Sequence, residues 1–466
     1  MTVGIIGAGG VLRVPTFPAG QARGGILNQL KICTVRSAAI LRGSSLLVLL
    51  VSVASCGGEP AIEMDDATSE TSAALRASPP APDARTADLD ARARLGRAIF
   101  EDTRLSASGS LACAGCHVAD RAFTGSNDPD APLAPVSTGA FPTLLGGRNA
   151  PTAMYAKFSP RFDFVLDEDE YTPTGGLFWD GRADSLAEQA KGPFLNPKEM
   201  ALASKDEVVA RLRTAPYARL FERVYGRQAF DDVERAYDDM ADAIQSFEEG
   251  AIFAPFSSKF DAVLRGRAHF TPLEARGFAL FKDPNRGNCI ACHVGDPTSR
   301  EPSDWLFTDF TYDNLGVPRN PALADNADPT HFDLGLCLRP GIAAKVPAEV
   351  SEKDAFVSSL CGAFKVPTLR NVAVTAPYMH NGYFGRLRDV VSFYVTRDTN
   401  PERWYPCGPD GKPQKFNDLP PAYAGNVNTT EVPYGGHPGG KPRLDEREID
   451  AVVAFLQTLT DGYIRR

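Results

Sequence analysis

Apolar residues recur every three to four positions in several stretches of this 466-residue chain, with polar residues between them. That spacing gives an α-helix one apolar face. It predicts amphipathic helices over residues 89–100 (LDARARLGRAIF), 204–225, 231–247 and 445–459 (DEREIDAVVAFLQTL). Thr271-Pro272-Leu273-Glu274 reads as an N-cap followed by proline at the first helical position, so a further helix starts there. Residues 120–178 are rich in Gly, Pro and Asp with little periodicity, and 296–363 are again irregular. The first is expected to be a long ordered loop and the second an insertion. No stretch alternates apolar and polar residues for long, so strands should be few. The expected fold class is mainly α, with long irregular loops.

The chemistry sits just after two of these helices. Cys113-Ala114-Gly115-Cys116-His117 and Cys289-Ile290-Ala291-Cys292-His293 both read Cys-x-x-Cys-His. This is the attachment pattern of c-type haem. Cysteines three apart share one face of a helical turn and can bond both vinyl groups of a porphyrin. The adjacent histidine then supplies the proximal iron ligand. A zinc site would use the cysteines but would not require a histidine after each pair. Two covalent haems are therefore expected, held by Cys113, Cys116, Cys289 and Cys292, with His117 and His293 on the irons. The helix, motif, long loop and helix recur in the same order, which predicts two c-type cytochrome domains, 89–265 and 266–466. The loops would wrap the haems.

Composition adds where the chain goes. Residues 44–55 (SSLLVLLVSVAS) are apolar, follow Lys31, Arg36 and Arg42, and are too short to span a bilayer. Residues 1–55 read as a leader with a lipoprotein signal, since Val53-Ala54-Ser55-Cys56-Gly57 resembles a lipobox with Cys56 as the lipidated residue. Residues 56–88, rich in Ala, Pro, Ser, Thr and Asp, read as a flexible tether. Export to the periplasmic side agrees with haem attachment outside the cytoplasm. In an oxidising compartment Cys337 and Cys361 are the expected disulfide, with Cys361–Cys407 the alternative. The net charge of −9 argues against a nucleic-acid partner.

Across about residues 90–465 the chain resembles the bacterial dihaem cytochrome c peroxidases and their MauG branch, to which MbnH also belongs. The resemblance rests on Leu95-Gly96-Arg97, both haem motifs, Gly147-Arg148-Asn149-Ala150-Pro151-Thr152 and Phe178-Trp179-Asp180-Gly181-Arg182. It also rests on Asn196-Pro197-Lys198-Glu199-Met200, on 364–372 (FKVPTLRNV) and on Thr375-Ala376-Pro377-Tyr378-Met379-His380-Asn381-Gly382. The resemblance implies hydrogen peroxide as substrate at the N-terminal haem, with Glu199 as acid–base group and Gln189 beside it. It implies that Trp179 relays electrons between the haems, and that Asn149, Thr375 and Pro377 hold one calcium ion. Counted from Pro377, the family's distal ligand of the second haem falls on Tyr394, where classical members carry methionine. Met379, the only methionine nearby, is poorly placed for that role.

No histidine lies between His117 and Trp179, where classical members have a plug for the first iron. Met154 is the only substitute and reads as core. The first haem is therefore expected to be five-coordinate. His380 is not expected to be a ligand, and His269, His331 and His437 read as surface or structural residues. Three functions follow: a MauG-like oxidase acting on a partner protein, a conventional cytochrome c peroxidase fed by a small cytochrome, or a dihaem electron carrier without catalysis.

Overall fold

The computed structural model describes residues 90–125, 133–167 and 169–464. The leader, the tether and Cys56 lie outside the described residues. Helix α1, Ala91–Phe100, starts where the Asp90 carboxylate accepts the Ala93 N–H at 2.8 Å. Helix α2 is the single turn Cys113–Cys116. The loop expected at 120–178 is not wholly irregular: β1 (Asp163–Asp167) and β2 (Glu170–Thr174) form an antiparallel hairpin within it. Phe164 is buried while Val165, on the opposite face, and Leu166, further along the same face, stay exposed, so only part of one face of the hairpin finds a core.

Next come α3 (Leu186–Leu195), α4 (Lys205–Arg213), α5 (Ala218–Tyr225) and α6 (Val233–Glu248). The helix predicted over 204–225 is thus two helices. Pro216 breaks it, because it lacks an N–H and disfavours helical geometry in the residue before it. Helix α7 is Lys259–Leu264 and α8 is Pro272–Lys282, whose Thr271–Glu274 capping box fulfils the predicted start. Short helices α9 (Ile342–Lys345) and α10 (Lys353–Ser359) punctuate the insertion, with β3 (Tyr312–Asp313) paired to β4 (Phe364–Lys365) around it. Helices α11 (Leu387–Thr396) and α12 (Glu446–Gln457) complete the chain. The fold is mainly α.

Two helix crossings organise the interior, and they are built alike. In the first, Gly96 of α1 lies on the backbone of Ala243 in α6, and an added Cβ would stand 3.0 Å from the Phe247 Cβ. In the second, Gly277 of α8 lies on Ala451 of α12, with the Phe455 Cβ at 2.9 Å from the same point. Each glycine lets two helices approach as a side chain would not. One apolar core gathers around α1 and α6, including Leu95, Phe100, Met240 and Phe247. The other gathers around α8 and α12, including Phe281, Trp305, Phe307 and Phe455. A third, smaller core joins the hairpin to the insertion through Phe162, Phe164, Leu336 and Ile342.

The expected domain boundary at 265 falls just after α7, yet Phe260 of α7 packs in the second core. Its neighbour Asp261 is fully buried and receives two bonds from the buried Arg370, at 2.9 and 3.1 Å. Asp461 near the C-terminus binds Tyr155 of the first half and Asn371 of the second, each at 2.8 Å. Partly buried hydrogen bonds of Asp461 therefore fasten the two halves. Cys337 and Cys361 are joined as a disulfide, which excludes the Cys361–Cys407 alternative. Cys407 is not a free thiol.

Candidate active site

Both Cys-x-x-Cys-His motifs fold as the attachment chemistry needs. Cys113 and Cys116 share the single turn α2, while Cys289–Ala291 is a 3₁₀ turn. All four thiols are unpaired, and burial raises their pKa values, for Cys289 to about 12. The two histidines are oriented in the same way. The His117 Nδ1 bonds the Phe123 carbonyl at 2.9 Å, and the His293 Nδ1 bonds the Phe307 carbonyl at 3.0 Å. A carbonyl fixes the proton on Nδ1 and turns Nε2 outward as a neutral ligand. Burial favours the neutral ring in both, pushing His293 down to about 4. These residues fit two c-type haems.

Glu199 stands at the first motif, close enough for its charge to bear on both Cys113 and Cys116. A tight turn holds it there. The Glu199 N–H bonds the Asn196 carbonyl at 3.0 Å, and the Asn196 amide donates to Glu199 Oε1 at 2.8 Å. The backbone is clamped from outside by Ala140 N–H to the Glu199 carbonyl at 2.7 Å. Burial raises the Glu199 pKa, opposed by the Arg182 charge and the Asn196 bond. Such a carboxyl can both take and return a proton. Gln189 lies half-buried on α3, the helix that leads into this turn.

The second motif opens on a cavity of about 310 Å³ between the two halves. Cys289, Cys292, His293 and Tyr394 line it, together with Trp179, Asn149, Thr375 and Pro377. Tyr394 projects from α11; burial, and after it Asp313 and both motif cysteines, raise its pKa. Met379 lines the cavity too, so two side chains of different ligand chemistry reach it. His380 stacks on Phe364 at 3.5 Å and sits 3.6 Å from Asp418. His269, His331 and His437 are exposed. Met154 is buried, and its sulfur accepts an N–H from Asn371 at 3.3 Å.

Asn149 is the junction of the site. Its carbonyl accepts the Trp179 indole N–H at 2.8 Å, and its N–H bonds the His380 carbonyl at 2.8 Å. Its side-chain amide lies 2.6 Å from the Pro377 carbonyl. Trp179 is held from the other side, since the Lys365 N–H bonds its carbonyl at 2.9 Å. Asn149, Thr375 and Pro377 line one cavity, and their neutral oxygens are of the kind a calcium ion accepts with water completing its shell. Among the described residues no cluster of three or more His, Cys, Asp and Glu could hold a metal.

Two polar groups inside the fold, one half-buried and one buried, escaped the sequence reading. Lys365 lines the cavity, bonds Ser159 and the Gly176 carbonyl, and is pushed down to about 7 by burial. The 364–372 motif contained it, but nothing in the sequence marked it as half-buried. Glu248 ends an amphipathic helix, where glutamate is ordinarily solvated.

Known proteins match this architecture. The model of the di-haem cytochrome c peroxidase family matches residues 90–269. The methylamine utilization protein MauG of Paracoccus denitrificans is 41% identical over 388 residues, 81% of this chain and 90% of that protein. The cytochrome c peroxidase Ccp of Escherichia coli is 30% identical over 371 residues, 79% of this chain and 65% of that one. The crystal structure of the diheme peroxidase BthA from Burkholderia thailandensis has a TM-score of 0.74 at 40% identity, covering 80% of this chain and 87% of its own. The chain therefore belongs to the di-haem cytochrome c peroxidase family, the family of MauG, and is a haem peroxidase.

Proposed function

We propose that this peroxidase reduces hydrogen peroxide at its N-terminal haem and spends the oxidising equivalents on a residue of a partner protein, as a MauG-like enzyme. The observation that carries the reading is Tyr394 in the cavity of His293, Cys289 and Cys292. When bound, the haems supply the iron that accepts peroxide oxygen and stores oxidising equivalents. The chain supplies the rest. Cys113 and Cys116 hold the first haem, with His117 as its ligand; Cys289, Cys292 and His293 do so for the second. Glu199 takes a proton from one peroxide oxygen and returns it to the other, with Gln189 positioning peroxide beside it. Trp179 splits one long electron transfer between the halves into two shorter ones. Asn149, Thr375 and Pro377 hold a calcium ion that stiffens the segment binding the indole.

As ligand, the Tyr394 phenolate is a hard anion and favours ferric iron, whereas a thioether favours ferrous iron. Tyrosine therefore suits a second haem that shares oxidising equivalents. The Met154 sulfur is engaged by Asn371, which agrees with an open first iron. The disulfide and the two attachment motifs support export to the periplasmic side, with Cys56 as lipid anchor. No described helix is long and apolar enough to cross a membrane.

The second reading, a conventional cytochrome c peroxidase, is favoured by Met379 in the same cavity. Electron paramagnetic resonance separates the two. The ferric protein should show one high-spin and one low-spin haem and react with peroxide before any reduction. Tyr394→Phe should abolish the low-spin signal. A signal kept in Tyr394→Phe but lost in Met379→Leu, with peroxide reactivity only after reduction, selects the conventional enzyme.

A further inference from the structure

Glu248 is the last residue of α6 and is 5% exposed. Its Oε2 is buried with no hydrogen-bond partner in the structure. A buried, unpaired carboxyl is costly and calls for a physical reason. Its position supplies one. The two helix crossings are repeats of one another, Gly96 on Ala243 and Phe247 matching Gly277 on Ala451 and Phe455. In that register Glu248 corresponds to Leu456. Leu456 lines the cavity of the second motif together with Cys289. Glu248 takes the equivalent place at the first motif, and its charge is the leading electrostatic influence on Cys113. One repeat thus sets an alkyl group at its Cys-x-x-Cys-His motif, and the other a carboxyl.

The polar groups of α1 and α6 near that carboxyl are paired with other residues. Burial alone perturbs it, pushing it up to about 8. On α1, Arg97 is tied to Glu101 at 2.9 Å. On α6, Gln245 is tied to Glu249 at 3.0 Å, and Asp242 accepts the Tyr225 hydroxyl at 2.7 Å. The other titratable groups about Cys113 are Glu199, held by Asn196, and Tyr217, whose hydroxyl donates to Asp102 at 2.6 Å. The His117 ring is fixed by Phe123.

We propose that Glu248 is the redox-linked proton site of the first haem. One electron from the enzyme's donor reduces ferric to ferrous iron, and one proton from solvent converts the Glu248 carboxylate to the acid. Reoxidation releases both. A carboxylate in a poorly screened interior favours the more positive iron, and linkage requires reduction to favour the protonated acid in return. Peroxide chemistry consumes protons as well as electrons, so such a group keeps the two in step. The inference rests on a haem bound to Cys113 and Cys116.

The test is potentiometry of the full holoprotein, with two haems per chain confirmed by mass, from about pH 6 to about pH 10, which brackets the titration. The potential of the first haem should fall with rising pH, approaching a tenfold change in equilibrium constant, 59 mV, per pH unit. Glu248→Gln should flatten this dependence and raise the potential at the alkaline end. Glu248→Leu, which copies Leu456, should do the same. An unchanged slope in Glu248→Gln, or a slope lost in Glu199→Gln instead, overturns the proposal. A mass showing no haem on Cys113 and Cys116 would overturn the haem assignment beneath it.

Discussion

Replacing Glu199 by glutamine isolates proton transfer from structure. Glutamine keeps the side-chain length, and its carbonyl can still accept the Asn196 amide N–H now made at 2.8 Å. The turn is otherwise held by backbone bonds, Glu199 N–H to Asn196 and Ala140 N–H to Glu199. Stability should therefore change by less than about 1 kcal/mol, the worth of an ordinary hydrogen bond. What disappears is the titrating proton. Loss of one general acid–base group slows a reaction by about 10² to 10⁴. That range raises the barrier by about 3–5 kcal/mol, at 1.36 kcal/mol per decade. Stopped-flow absorbance of the Soret band after mixing with peroxide measures it directly.

The pH profile provides a second check. Burial raises the Glu199 pKa, so the group is protonated, and useless as a base, at pH values where an exposed glutamate is ionised. The wild-type rate should fall as pH drops through this raised value, and Glu199→Gln should lack that limb. The same shift carries a stability sign. A carboxyl with a raised folded pKa favours folding below its unfolded pKa, and that contribution is lost as pH rises through the folded one. Glutamine should remove that loss. A variant that reacts with peroxide at the wild-type rate, with both haems attached, would refute the role of Glu199.

Further outcomes follow from the packing. Trp179→Phe removes the N–H that the Asn149 carbonyl accepts, which should cost about 1–3 kcal/mol for an unpaired buried acceptor and slow exchange between the haems. Calcium chelation should slow the same exchange, because Asn149 carries both the indole and the amide beside Pro377; flash-photolysis rates that ignore both changes would dismiss the relay. Gly96→Ala and Gly277→Ala should each destabilise their half by about 1–3 kcal/mol through overpacking, only partly offset by about 1 kcal/mol of helix propensity. Thermal unfolding should show matched losses, since each Cβ meets an alanine backbone and a phenylalanine Cβ in the same arrangement. A loss in one half alone would contradict the repeat.

By itself the sequence determined what is local or covalently spaced. Helical periodicity announced α1, α6 and α12, and Thr271 with Pro272 and Glu274 marked the start of α8, because caps and amphipathic faces are written within a few residues. The haem motifs were evident because thioether chemistry fixes cysteine spacing and places histidine next in the chain. The hairpin at 163–174 was hidden because its buried face meets Leu336 and Ile342 of the insertion, far along the chain. Tertiary structure alone gathered Asn149, Trp179, Lys365 and Pro377 around one cavity, through side-chain and backbone N–H bonds to backbone carbonyls that no periodicity encodes. It also decided the character of Glu248. A glutamate at a helix end is ordinarily solvated, and only tertiary packing buries this one near the first Cys-x-x-Cys-His turn, where its charge bears on Cys113.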